Sequence, residues 1–323
     1  MKLEKLKNVM NRDLNYSKVF DTLVNETKKY LEDHNLQAMV LGISGGIDST
    51  VTAAICSEVS KCTDIPLIGR SLPIKNKDDE FNVSKLVGEA FCTNFQVCNL
   101  DESLLYTKVL QTIEHFEGEG SISKIANGNI QARLRMIYLY NLASIHNGIV
   151  ISTDNQTEYQ LGFWTLHGDV GDFNPLFGLW KTEVYALADW LLQEYSMEHC
   201  EHLVRVSKGE EEPHLPLKVE ALKASIALTP TDGLGISNSD LEQIGAKSYS
   251  EVDDILQEFE AFQYLYPKQL AGMTLKEKAK EFLDNQEMLY IEPEVIVKVI
   301  DRHVRSEFKR KNLPICITRD KYE

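Results

Sequence analysis

The chain has 323 residues, a hydrophobic fraction of 43% and a formal net charge of −15 at pH 7. This length allows one large domain or two small ones, and the negative charge argues against a nucleic-acid or anionic-membrane partner, because both need a basic face. No stretch approaches the ~20 apolar residues of a membrane span, and no signal-peptide core is evident, so a cytoplasmic location is expected. The six cysteines are scattered and form no C-x-x-C pair, which predicts reduced thiols.

Hydrophobic periodicity predicts that helices and strands alternate along the first half of the chain. Short apolar strands are predicted at 38–43, 64–74, 94–100 and 148–155. Helices are predicted at 1–36, 49–60, 78–91 and 127–147. This alternation predicts a doubly wound α/β fold with a parallel sheet flanked by helices. Ligands of such sheets bind where the strands end, so the loops starting at Ser44, Ser71 and Thr153 are the candidate sites.

The pattern loosens in the second half of the chain. Residues 196–230 contain the charged stretch "SKGEEEPHLP" and are interpreted as an irregular surface insert. Helical spacing returns at 251–265 and 293–311, so the part from about 250 to 323 is predicted to be helical. No interdomain linker is evident, and residues 1–323 are expected to form a single domain.

The stretch "LGISGGIDST", which begins at Leu41, follows a predicted strand and opens a predicted helix. Glycine allows the backbone to come close to a ligand, and the helix N-terminus attracts an anion, so this pattern predicts a phosphate-binding loop. A Walker A loop would carry a lysine after its last glycine, whereas Asp48 stands here instead. Because Asp48 would repel a bare phosphate, a cation is expected beside it. The alternative is an ordinary glycine turn capped by Asp48 or Ser49.

The S-G-G-x-D-S loop resembles that of the N-type ATP pyrophosphatases, which cleave ATP to AMP and pyrophosphate. Four further stretches resemble the NAD synthetases of this superfamily: "NIQARLRMIYLYNLA", "ISTDNQTEYQLGFWTLHGDVGDFNPLFGLWK", "TPTDGL" with "DLEQIGAKSYSEVDDIL", and "SEFKRKNLP". The resemblance implies a Rossmann-like sheet of about five strands. It also implies a ligase that amidates deamido-NAD to NAD⁺ with ATP, through an acyl-adenylate. The phosphate loop is reached by residue 44, which leaves no room before it for a glutamine-hydrolysing domain, so ammonia or a separate ammonia donor is expected.

The resemblance also implies the site residues. Asp48 and Glu158 would hold Mg²⁺, and Asp48, Lys181 and Thr231 would act in catalysis. ATP would be bound by the loop and three distant residues: Gly42, Ile43, Ser44, Gly45, Gly46, Ile47, Asp48, Ser49, Thr153, Lys181 and Thr231. The dinucleotide would be contacted by Arg133, Asp172 and Lys309. Taken singly, Glu158, Thr153 and Lys181 could instead be ordinary residues of a helix start.

Several departures from the family pattern fall on the dinucleotide side. Leu166 stands where the family has a lysine, for which His167 is a candidate replacement; "GDVGDFNP" is one residue short; and Phe308 replaces a histidine. The first alternative is therefore the same chemistry on nicotinic acid mononucleotide. Another amidating ATP pyrophosphatase, acting for example on tRNA, and a nucleotide sensor without catalysis are the others.

Three further expectations concern side chains and partners. Arg133 and Arg135 are two residues apart and cannot share one helix face, so one of them is expected to be only a surface charge. The resemblance implies a homodimer, with helical residues such as 134–142 at its interface. The spacing of His199, Cys200, His202 and His214 fits no standard zinc site, so these residues are expected to be structural.

Overall fold

The computed structural model describes residues 14–75, 77–100, 104–212, 215–231 and 239–311. The strands are β1 (Met39–Gly42), β2 (Leu67–Ser71), β3 (Asn94–Val97) and β4 (Ile149–Val150). The helices are α1 (Tyr16–Asp33), α2 (Ile47–Cys62), α3 (Asp78–Phe91), α4 (Leu105–Glu117), α5 (Lys124–Ile145), α6 (Gln156–Leu161), α7 (Lys181–Ser207), α8 (Leu217–Ala227), α9 (Asp240–Ile244), α10 (Tyr249–Leu265), α11 (Leu275–Asn285) and α12 (Pro293–Arg305), followed by a 3₁₀ turn (Glu307–Arg310).

The strands form one parallel sheet in the order β3-β2-β1-β4. An isolated parallel bridge between Ile151 and Phe173 continues the sheet beyond β4, in the place of a fifth strand. The predicted parallel sheet flanked by helices is thus confirmed. Because β2 and β4 lie on opposite sides of β1, the loops after β1 and β4 part at this switch point and leave a crevice for a ligand.

Alternating side chains of the strands supply two cores, one on each face of the sheet. Met39 and Leu41 face a core built with α1, α2, α3, α7 and α8. Val40 faces the opposite core, built with α4 and α5. Burial on both faces explains why the strands read as continuous apolar runs.

A third core lies among the C-terminal helices α10, α11 and α12, and it includes Leu161 of α6. Partly buried Trp180, the residue before α7, packs against the same core. Residues that follow β4 therefore belong to the C-terminal core, which brings the C-terminal helices to the edge of the sheet where the strands end.

The structure corrects the interpretation of 196–230 as an irregular insert. Helix α7 continues to Ser207, and residues 217–227 form α8, which packs against α3 and α7. Val219, Ala221 and Leu222 of α8 are buried in the main core. The adjacent charged stretch concealed this helix, whose small residues give a weak hydrophobic signal. Helices α4 and α11 were not predicted either.

Other sequence predictions agree with the structure to different extents. Helix α3 has the predicted bounds, and α1 lies within the predicted helix, of which residues 1–13 are outside the described part. Of the six cysteines, the five in the described ranges are free, whereas Cys316 lies outside them. No helix within the described ranges is long and apolar enough to cross a membrane.

Candidate active site

The glycine-rich loop joins the end of β1 at Gly42 to the start of α2 at Ile47. Gly45 has a φ of +88°, and the Gly46 N–H donates to Ser44 Oγ at 3.2 Å. Ser44 Oγ in turn lies 3.1 Å from Ser49 Oγ. Gly46 caps α2 without a side-chain hydrogen bond, so the first N–H groups of α2 are available to an anion.

Gly45 has no room for a side chain. A Cβ at this position would lie 2.8 Å from the backbone N of Ser84 and 2.9 Å from the carbonyl O of Glu80. We expect Gly45→Ala to shift the loop and to raise the dissociation constant for ATP at least about tenfold, the effect of ~1.4 kcal/mol. Gly118→Ala is the matched control, because Gly118 has a φ of +98° but nothing within 4 Å of its Cβ position. Calorimetric titration with ATP measures both, and equal affinities would contradict the packing argument.

Asp48, in the first turn of α2, forms an ion-paired cluster with Glu158 of α6 and Lys181 of α7. Lys181 Nζ lies 2.5 Å from Asp48 Oδ2 and 3.0 Å from Glu158 Oε1. The Lys181 side chain is 2% exposed, against 14% for Asp48 and 19% for Glu158. A lysine therefore does stand beside the phosphate loop, although it comes from a segment 133 residues away.

Two polar residues fix the position of the carboxylates in this cluster. The Asn155 side chain donates to Asp48 Oδ1 at 2.7 Å and caps α6, while the Asn155 N–H donates to Glu158 Oε2 at 3.3 Å. Asn155 is fully buried. Since one side chain contacts both the α2 carboxylate and the α6 terminus, the spacing of Asp48 and Glu158 is determined by the fold.

Asp253 of α10 fixes the start of α7. Its Oδ1 accepts from Thr157 Oγ1 at 2.5 Å, and its Oδ2 accepts from the Thr182 N–H at 2.9 Å and Thr182 Oγ1 at 2.8 Å. The Lys181 N–H donates to Thr157 Oγ1 at 2.9 Å. The C-terminal helices thus hold the segment that carries Lys181 in place.

Burial and neighbouring charges shift the pKa values of this cluster. Burial opposes the charged form of Lys181, but Asp48 and Glu158 more than offset it and raise the Lys181 pKa well above its usual value. Burial raises the pKa of Glu158, the negative charge of Asp48 adds to the rise, and Lys181 reduces it. Lys181 therefore stays charged, and it is the cation that compensates the two carboxylates.

Asp154 lies on the cavity wall in the loop after β4, and it accepts a hydrogen bond from Ser152 Oγ at 2.5 Å. Burial raises the Asp154 pKa from 3.8 to about 7, and the charge of Asp169 adds to the rise. A carboxyl that holds its proton more tightly when folded stabilises the protein at low pH. That contribution is lost as the pH rises from 3.8 to about 7.

We therefore expect Asp154→Asn to flatten the pH dependence of stability. Between pH 5 and 8, without ATP or metal, the melting temperature of the variant should rise relative to wild type by about 2–6 °C. The exposed Asp21→Asn is the control, and its curve should run parallel to that of wild type. A parallel curve for Asp154→Asn would contradict the assignment.

Around this cluster lies a cavity of about 720 Å³. Most of the residues implied by the family resemblance line it: Gly42, Ile43, Ser44, Gly46, Ile47, Asp48, Ser49, Arg133, Thr153, Glu158, Lys181, Thr231 and Lys309. Thr231 Oγ1 donates to Glu80 Oε1 at 3.3 Å. Gly45 lies behind the lining, and residues 232–238 of the loop after Thr231 fall outside the described part.

Both arginines of α5 line the cavity, so the expectation that one is only a surface charge was wrong. Arg133 donates to the Leu166 carbonyl at 3.1 Å, and Arg135 donates to the Leu72 carbonyl at 3.0 Å. They project from different faces of the helix, but the cavity extends around α5 far enough to include both. Leu166 also lines the cavity, whereas the exposed His167 does not.

Lys309, in the 3₁₀ turn after α12, reaches the cavity from the C-terminal part of the chain. Its Nζ donates to the Gly162 carbonyl at 2.7 Å and to the Trp164 carbonyl. Arg302 of α12 also lines the cavity and stacks 3.6 Å from the centre of the Phe163 ring. Arg302 was not predicted, because its helix reads from sequence only as a charged amphipathic segment.

Asp172 is the implied substrate residue that the structure does not place in the cavity. It is exposed, and it accepts a hydrogen bond from Tyr140 on α5 at 2.8 Å. Asp169, three residues earlier, does line the cavity, and its Oδ1 accepts from the Thr165 N–H at 2.6 Å. The missing residue in "GDVGDFNP" made these two aspartates hard to distinguish from sequence.

The histidine cluster of α7 is structural in the described ranges. His202 Nδ1 lies 2.6 Å from Glu211 Oε2, and its ring is 6.0 Å from that of His199. His214 lies outside the described part. No group of three or more histidine, cysteine, aspartate or glutamate residues suited to a metal occurs within the described ranges.

The fold and the site define a nucleotide-binding α/β protein with an anion-binding loop and a carboxylate–lysine cluster at the switch point of its sheet. Comparison with known proteins narrows this class. The NAD synthase family model matches residues 19–313. The chain therefore belongs to the NAD synthase family, a family of ligases of NAD biosynthesis that use ATP as co-substrate.

Individual relatives agree with this assignment. The chain is 34% identical to the NH₃-dependent NAD⁺ synthetase of Finegoldia magna over 54% of this chain and 69% of that one. It is 29% identical to that of Thermoplasma volcanium, over 94% and 99% of the two chains. The solved NMN synthetase of Francisella tularensis superimposes with a TM-score of 0.67 and 24% identity, over 95% of this chain and 99% of that one, which shows a shared fold.

Proposed function

We propose that the chain converts deamido-NAD, ATP and ammonia into NAD⁺, AMP and pyrophosphate. The observation that carries this proposal is the convergence of the loop, Asp48, Glu158 and Lys181 on one cavity that arginine and lysine side chains also line. The names of the relatives from Finegoldia magna and Thermoplasma volcanium support it. We further propose that residues 1–323 act as one functional unit, since the C-terminal helices fix the start of α7.

The reaction has two steps with defined bond changes. An oxygen of the nicotinate carboxylate attacks the α-phosphorus of ATP, and the bond from that phosphorus to the bridging oxygen breaks, releasing pyrophosphate. Ammonia then attacks the carbonyl carbon of the acyl-adenylate, the carbon–oxygen bond to AMP breaks, and the nitrogen loses a proton. Adenylation is needed because a carboxylate cannot expel oxide.

The loop residues of this chain would bind the pyrophosphate that leaves. The N–H groups at the start of α2 and the Ser44 and Ser49 hydroxyls would donate to its oxygens. Thr153 would lie beside the nucleotide at the end of β4, and Thr231 would reach the phosphates from the segment after α8. Lys181 would compensate the charge that develops in the transition state.

Asp48 and Glu158 suit a magnesium ion. Their oxygens are the hard donors that Mg²⁺ prefers, and their two negative charges exceed the single charge of Lys181. Since the described ranges offer no third carboxylate ligand in a metal-binding group, phosphate oxygens and water would complete the coordination. The ion would neutralise charge on the leaving pyrophosphate.

The dinucleotide would bind along α5 and the C-terminal turn. Arg133, Arg135 and Lys309 line that side of the cavity and can pair with phosphate oxygens. Asp172 remains a proposed substrate contact through a homodimer, because it lies with the exposed Ile137 and Tyr140 on one surface of the molecule. An apolar surface of this kind, on a helix of the predicted interface 134–142, suits contact with a second copy.

Nicotinic acid mononucleotide is the second candidate substrate. Asp172 lies outside the cavity, Leu166 brings no charge into it, and the structural neighbour from Francisella tularensis is an NMN synthetase. A smaller substrate would need no contact with Asp172.

A product assay separates these possibilities. The purified chain is supplied with ATP, Mg²⁺, either deamido-NAD or nicotinic acid mononucleotide, and either ammonia or glutamine. We expect NAD⁺ with AMP and pyrophosphate from deamido-NAD and ammonia. A kcat/KM equal or higher for the mononucleotide would replace the proposed substrate, and no pyrophosphate from any combination would overturn the catalytic assignment.

A further inference from the structure

Two buried hydroxyl groups connect the phosphate loop to α8. Ser225 Oγ donates to the Gly45 carbonyl at 2.8 Å and lies 2.6 Å from Thr50 Oγ1. Thr50 Oγ1 lies 3.0 Å from the Gly46 carbonyl, to which it can also donate. Ser225 and Thr50 are both fully buried, and neither lines the cavity.

The Ser225 contact fixes the orientation of a peptide group in the loop. In a trans peptide the C=O and the following N–H point in opposite directions. Because Ser225 holds the Gly45 oxygen towards α8, the Gly46 N–H must point to the other side, where it meets Ser44 Oγ. Without this contact the glycine peptide is free to rotate, since glycine accepts both signs of φ. A carbonyl turned towards the ligand would repel a phosphate.

The same contact joins the loop to the other side of the cavity. Helix α8 ends at Ala227, and the residues that follow it, Leu228–Thr231, line the cavity. Glu80 takes part on both sides, because its carboxylate accepts from Thr231 Oγ1 and its backbone oxygen lies against Gly45. A shift of α8 would therefore change the loop and the Thr231 segment together.

We propose that Ser225 and Thr50 are positioning residues for the triphosphate of ATP, acting through the Gly45–Gly46 peptide and the Thr231 segment. This inference rests on the proposed function only in that ATP is the ligand. Neither residue touches ATP itself. The pair supplies the loop with the orientation that other phosphate loops obtain from their own sequence.

The test compares Ser225→Ala, Thr50→Val and the double variant with wild type. Each single variant is expected to raise the ATP dissociation constant about tenfold, with a matching rise in KM for ATP and a smaller change in kcat. The double variant should bind little more weakly than either single one, because both changes disrupt the same hydrogen-bonded unit. Thr50→Ser keeps the hydroxyl and should restore ATP binding.

Matched controls remove a buried or half-buried helix hydroxyl elsewhere. Thr27→Val removes a hydroxyl bonded to the Leu23 carbonyl, and Ser196→Ala one bonded to the Leu192 carbonyl. Both should leave ATP binding unchanged, whatever they do to the melting temperature.

Two results would overturn the inference: ATP binding unchanged in Ser225→Ala, or a double variant whose effects simply add. The proposed function fails in a different way, since a wild-type chain that binds ATP but makes no NAD⁺ would leave the positioning effect on ATP affinity measurable.

Discussion

Asp48→Asn is expected to release pyrophosphate at least about 10³-fold more slowly than wild type, with its melting temperature nearly unchanged. Asparagine has the same shape, and its side-chain oxygen can still accept from Asn155, so the loop keeps its local contacts. The change removes the negative charge that pairs with Lys181 and that would hold Mg²⁺. Chemistry should therefore be lost while the fold survives.

The matched control for this variant is Asp79→Asn. Asp79, like Asp48, lies in the first turn of a helix, but it is exposed to solvent. It reports the loss of a favourable charge at a helix N-terminus without any change in the site. Pyrophosphate release should be unchanged in this control. An active Asp48→Asn enzyme would mean that the loop has been misinterpreted.

Lys181→Met is expected to remove activity and to destabilise the fold as well. Methionine fills the buried volume, but Asp48 and Glu158 then face each other without a cation. Breaking a buried ion pair by removing one partner costs about 3–5 kcal/mol, and the Glu158 carboxyl should then hold its proton at a higher pH than in wild type. Chemical denaturation and pyrophosphate release measure the two effects.

Lys28→Met is the control for Lys181→Met. Lys28 pairs with Glu32 on the surface at 3.8 Å, and surface pairs contribute little. Its removal should leave both stability and activity unchanged. If Lys181→Met were as stable as this control, Lys181 would not be the cation that compensates the carboxylates.

Much of the ATP side of the site could be predicted from the sequence, for a physical reason. An anion loop between a buried strand and a helix is local in sequence, and its composition is restricted by backbone geometry at Gly45. The end of β4 is likewise local, so Thr153 and Glu158 could be placed together. Lys181 could be assigned only by family resemblance, because no local pattern shows that it reaches Asp48 from a distant segment.

The features that sequence reasoning missed depend on tertiary packing. Ser225 looked like part of a charged surface insert, but it lies fully buried against the phosphate loop. Arg135 was set against Arg133 by helical spacing, which gives no information on how far a cavity extends around a helix. Asp154 was visible in the loop after β4, but its raised pKa comes from burial, which the sequence does not show.

The most direct test of the central claim follows an oxygen atom from the substrate carboxylate into AMP. Deamido-NAD with ¹⁸O in both carboxylate oxygens is converted with unlabelled ATP and ammonia, and the products are weighed by mass spectrometry. If the carboxylate attacks the α-phosphorus, AMP gains one ¹⁸O, the amide of NAD⁺ keeps the other, and pyrophosphate has none. Label in pyrophosphate, or AMP without label, would contradict an acyl-adenylate.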